Sequence, residues 1–174
     1  MRTELLEANA RLLQQGRHVL RDVDPRIFAG EGAAAGSIGA HLRHCLDFYD
    51  AFFRGARRGV VDYDARERDP RTESDLPFAL ARVERTAARL TALEGSALPD
   101  RFRVRIGGSG DGDAPQHHAD SSPERELDAL FSHTVHHWAL IAGLLRAAGH
   151  DVPVEFGVAP STLRARGQAA AGAG

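Results

Sequence analysis

The stretch LFSHTVHHWALIAGLL, residues 130–145, sets three histidines into a segment that otherwise reads as a buried helix. His133 and His137 are four residues apart. At about 100° per residue they stack on one helical face, close enough for both imidazoles to reach a single ion. The apolar arc of the segment is set by residues such as Leu127, Leu130, Trp138, Ile141 and Leu145. The pair lies at the edge of that arc, facing a crevice between helices, and His136 falls well outside it. Thr134 stands where the zincin motif has its glutamate, so the spacing points to metal ligation without that motif's general base.

An earlier segment, GAHLRHCLDFY at residues 39–49, supplies His41 and His44 as third ligands, since either can project toward a helical interior. On a helical wheel His41 lies nearer the centre of that segment's apolar face. Three neutral imidazoles with one or two open positions suit zinc, nickel, iron or manganese and leave room for water or substrate. The alternative for each ring is a core histidine bonded to a backbone carbonyl or an acid, and for His136 that alternative is preferred.

Four helical segments must position these residues. The first runs from about Thr3, an N-cap, to about Val23 before DVDP. The second follows the small-residue stretch GEGAAAGS, with Ser37 capping IGAHLRHCLDFYDAFFRGA. The third spans about Glu73 to Leu93 after the charged connection VDYDARERDPR. The histidine helix is the fourth, started by Ser122, Pro123 and Glu124. Between the third and fourth, RFRVRI alternates arginine with apolar residues and suggests a short extended piece. The rest of that connection reads as a flexible loop in which His117 and His118 are solvated. Its GGSGDG has neither the nucleophile-elbow spacing nor the lysine of a phosphate loop. After the fourth helix, an arm ends in a helical turn capped by Ser161, and residues 166–174 read as a disordered tail. The pattern predicts one all-α domain over residues 1–165, an antiparallel four-helix bundle with at least one long crossover.

Composition bounds the function. The 174 residues are enough for one domain, and 43% of them are hydrophobic. With 22 Lys and Arg against 24 Asp and Glu, the formal charge of -2 gives no surplus for a polyanion, so nucleic acid is not the expected partner. No apolar run approaches the ~18 residues of a membrane span. The one cysteine, Cys45, has no internal disulfide partner and reads as a small core residue, and MRTELLEANARLL lacks the features of a signal peptide. The expected compartment is the cytoplasm.

The pairing of SIGAHLRHCLDFYDAF on an early helix with RELDALFSHTVHHWALI on a late one resembles the DinB/YfiT-like superfamily of four-helix metalloproteins, and FGVAPSTLR is similar to the end of bacterial members. The resemblance covers residues 3–165. It implies an up-down-down-up bundle with a long crossover after the second helix, and a divalent metal held by three histidines near one end. It carries the late pair onto His133 and His137 and the early ligand onto His44, with Asp47 behind it. His41 and His136 are then outer partners of the ligands or substitutes for them.

Characterised members of that superfamily include thiol-dependent transferases, in which a metal lowers the pKa of a bound low-molecular-weight thiol. The resemblance thus implies a metal-dependent thiol S-transferase acting on a small molecule, with hydrolysis by activated water as another reaction of such a metal. Asp62, Tyr63 and Asp64 in the crossover are the weak catalytic candidates, with Arg164 in the C-terminal arm as a receiver of a substrate carboxylate or phosphate. The competing expectation is a stress-response protein that binds a metal or small molecule without turnover, as a homodimer through exposed apolar helix faces. A bundle whose histidines have no metal role is the third.

Overall fold

The structure, a computed structural model, describes residues 1–31, 36–65, 67–106 and 117–171. Among these it is mainly helical. In chain order the helices are α1 (Arg2–Leu20), α2 (Pro25–Ala29), α3 (Ile38–Ala56), α4 (Arg71–Ser74), α5 (Leu76–Ala92), α6 (Pro123–Ala147) and α7 (Pro160–Ala171). Side-chain caps set several starts. Ser37 accepts from the Ala40 amide at α3, Asp75 from Phe78 at α5, and Ser122 from Arg125 at α6.

The third expected helix is broken in two. Pro77 has no N–H to give the Glu73 carbonyl and its ring would clash there, so α4 stops at Ser74 and Asp75 caps a new helix. The Glu73 carbonyl lies instead against Gly39 of α3, where any Cβ would overlap it. The chain's end also differs from expectation. Ser161 lies inside α7 rather than capping a turn, and α7 carries helix to Ala171, through two thirds of the segment expected to be disordered.

α1 packs against α5 and α6, and α3 packs against the same two helices. Their directions follow from the contacts. Arg2 pairs with Glu124 at 2.7 Å, and the Leu12 carbonyl accepts from Trp138 Nε1 at 3.0 Å, so α1 and α6 run parallel. His41 meets His137 and His44 meets His133, so α3 and α6 are antiparallel. Arg82 binds Asp47 and Asp50 while Arg89 sits over the Phe53 ring, so α3 and α5 are parallel. Two parallel neighbours require the chain to return along a helix of 19 residues, about 28 Å. The connection between α3 and α5, which holds α4, covers that distance. Trp138, Tyr49, Phe28, Phe52, Phe102 and Phe156 are the largest fully buried side chains of the core these helices enclose.

The all-α expectation needs one correction, a small sheet. Strands β1 (Val60–Val61), β2 (Phe102–Ile106) and β3 (His117–Ser121) pair in that order, β1 parallel and β3 antiparallel to β2, with Phe102 opposite Ser121 and Ile106 opposite His117. His117 and His118 therefore belong to a strand rather than a loop. Buried Phe102 packs near Phe52 and joins the sheet to α3. The GGSGDG stretch lies outside the described residues.

Candidate metal centre

Three imidazoles converge where α3 faces α6. One nitrogen from each of His44, His133 and His137 lies within 4.8 Å of the others, and His44 Nε2 is 3.1 Å from His133 Nε2. All three rings are half-buried. The i, i+4 spacing puts both α6 histidines on the face that meets α3. Antiparallel packing then brings His44, near the start of α3, to their level.

A fully satisfied buried network fixes that register. Tyr49 Oη donates to Asn9 Oδ1 at 2.7 Å and lies 3.1 Å from Thr134 Oγ1. Asn9 Nδ2 donates to the Leu5 and Leu127 carbonyls, and Thr134 donates to the Leu130 carbonyl. With the hydroxyl protons so placed, α3 is tied to α6 from Tyr49 through Asn9 of α1 to the Leu127 carbonyl.

The electrostatics suit a cation. Burial first, then the neighbouring His133, His44, His41 and His136, push the pKa of His137 down to about 3. Burial, and then His136, lower that of His41 as well. Both rings are neutral at physiological pH, which is the state in which an imidazole offers a lone pair. Nitrogens bound to one zinc at about 2.1 Å can lie no more than about 4.2 Å apart, so the three need only a small contraction to share an ion. The donor set fits a divalent transition metal.

The remaining histidines divide. His41 Nδ1 is 3.0 Å from His137 Nδ1, which makes His41 a neighbour of one ring of the cluster rather than part of the group of three. His136 is exposed, with its ring 5.3 Å from that of His137, so it is neither a core histidine nor a member of the cluster. Asp47 bonds Arg43 at 3.0 Å and Arg82 at 3.3 Å, and so serves the α3–α5 contact. Its burial raises its pKa against the pull of both guanidiniums.

Of the crossover candidates, Asp62 and Tyr63 are held by partners of their own. Asp62 bonds Arg105 at 2.9 Å and accepts from the Asp64 and Ala65 amides. Burial opposes its ionisation, but those bonds prevail and lower its pKa. Asp64 is exposed, as is Arg164 on α7. Tyr63 donates to Glu126 Oε2 at 2.7 Å, and Glu126 also accepts from Ser121. Burial, then the Glu126 charge, raise the Tyr63 pKa. Its ring stacks on Phe48 at 5.2 Å, and Phe48 lies 4.3 Å from His133. Sequence reading missed Phe48 as a wall of the cluster, although it follows His44 by four residues and shares its face. The arginine-lined cleft of about 430 Å³ beside α5, with Arg54, Arg82, Arg85 and Arg89, does not include the histidines.

No family model matches the chain, and no solved structure matches it. It is similar to FK506-binding protein 5 of Rhizopus delemar, 33% identical over 106 residues. That match covers 60% of this chain but only 27% of the relative's length. No helix among the described residues is long and apolar enough to cross a membrane.

Proposed function

We propose that this protein is a metal-dependent enzyme of the DinB/YfiT-like kind. His44, His133 and His137 hold one divalent transition metal, and an open position at that metal receives a low-molecular-weight thiol for transfer to a small electrophilic substrate. The observation that carries the reading is the convergence of three imidazoles from two antiparallel helices. Structural zinc sites close their shell with four protein ligands, usually including cysteine, whereas three ligands leave a position for chemistry. The lone cysteine, Cys45, is fully buried in the core and is not one of the three.

The helix directions support a four-helix bundle of up-down-down-up topology, in which α2, α4, α7 and the sheet are additions. When bound, the metal supplies Lewis acidity that lowers the pKa of a thiol or of water. The chain's own contribution is to keep His137 unprotonated by burial, to hold the helices in register through Tyr49 and Asn9, and to wall one side of the cluster with Phe48 and Tyr63. The thiol rests on the family resemblance.

Adding a small thiol such as cysteine to the cobalt-loaded protein tests that part. A sulfur-to-cobalt charge-transfer band is expected in the near ultraviolet. A cobalt spectrum unchanged by thiols would remove the transferase reading and favour a protein that binds metal without turnover.

A further inference from the structure

We infer that His41 is a positioning residue for the metal centre: it accepts the Nδ1 proton of His137 and thereby leaves the Nε2 lone pair of His137 for the ion. The inference rests on the reading of His44, His133 and His137 as ligands. It begins from the 3.0 Å separation between the two Nδ1 atoms. Two ring nitrogens this close are bridged either by an ion, as this reading has it for His44 and His133, or, where one ring lies outside the group of three as His41 does, by one hydrogen. Two N–H groups would collide, and two lone pairs would repel. The proton therefore belongs to one ring, and its assignment decides what the rest of each ring can do.

If His41 donates, neutral His137 carries its own hydrogen on Nε2, and neither of its nitrogens is left for a metal. If His137 donates, its Nε2 holds a free lone pair. Only the second arrangement is compatible with ligation while the contact persists. His41 then keeps its proton on Nε2. That atom lies 3.8 Å from where a Cβ on Gly36 would stand, beside the turn that leads into α3. His41 also comes one turn before His44 on the same helix, so α3 supplies both a ligand and the partner that orients another ligand. Partners of this kind fix the tautomer and the ring plane of metal-bound histidines. The geometry argues against a fourth ligand, because His41 is not among the residues whose nitrogens gather within 4.8 Å.

The test uses the 174-residue chain without a polyhistidine tag. Zinc affinity is measured by competition with a chromophoric chelator for the parent, His41→Ala, His41→Asn and His41→Gln. Asparagine places a polar atom near the position of the imidazole Nδ1, whereas glutamine keeps the bulk but sets its amide one bond further out. His41→Ala and His41→Gln are expected to weaken zinc binding by about 10-fold to 100-fold, with most of the affinity recovered in His41→Asn. X-ray absorption is expected to count the same number of imidazoles at zinc in every variant, and long-range proton–nitrogen spectra of the loaded parent to place the His137 proton on Nδ1. Equal affinity in parent, Ala and Gln variants would overturn the inference. Loss of one imidazole in His41→Ala would also overturn it by making His41 a ligand. A parent that takes up no zinc would bring down the metal reading itself, a result distinct from either.

Discussion

His137 shows how burial keeps an imidazole neutral and at what cost. Its ordinary pKa of 6.5 falls to about 3 in the folded chain. The unfolded chain therefore binds the proton more readily between those values. This contribution to stability is fully present above about pH 6.5 and is lost progressively as pH falls toward 3. The metal-free protein is expected to show a falling denaturation midpoint over that window, and His137→Leu a shallower fall. Identical pH slopes would mean that the ring is not held neutral by the fold. A second residue-scale prediction concerns Tyr49. Replacing it with phenylalanine leaves the buried Asn9 Oδ1 without its donor, a loss of about 1–2 kcal/mol readable by chemical denaturation. The late histidine pair was legible because ligation and helical period demand the same spacing. The choice of His44 over His41 was not legible from the wheel, which ranks burial. The level at which α3 meets α6 gathers His44 with His133 and His137, and leaves His41 against His137 alone.

At the scale of the elements, close approach governs more than propensity. A Cβ on Gly16 of α1 would overlap the Trp138 indole on α6, so Gly16→Ala is expected to destabilise the protein by about 1–3 kcal/mol. That direction opposes the gain of up to about 1 kcal/mol that alanine brings to an exposed helix interior. A raised melting temperature would contradict the described α1–α6 packing. Gly39→Ala should be the more damaging change, because its obstacle is the Glu73 backbone and not a side chain. The long helices were readable from apolar period and caps. The break before α5 follows from Pro77, whose effect on a helix that starts only four residues earlier was overlooked. β3 was hidden because HHADS carries no strand propensity and is recruited by pairing with RFRVRI.

For the molecule as a whole, the proposed ligation at His44, His133 and His137 would join α3 to α6, so metal binding is expected to appear as global stability. At free zinc a thousand times the Kd, binding to the folded state alone adds about 4 kcal/mol, and the melting temperature is expected to rise by about 10 °C. A chelator should reverse the rise. Which helices run parallel was not legible in the residues themselves, since amphipathic period sets which face is buried but not the direction of its neighbours. The pairing of Arg2 with Glu124 and of Arg82 with Asp50 supplies that information. The most direct measurement is elemental analysis of untagged protein beside a variant carrying His133→Ala and His137→Ala. The account predicts close to one equivalent of a transition metal in the parent and its loss in the variant. No metal in the parent after incubation with zinc, nickel, iron and manganese, or equal content in both proteins, would contradict it.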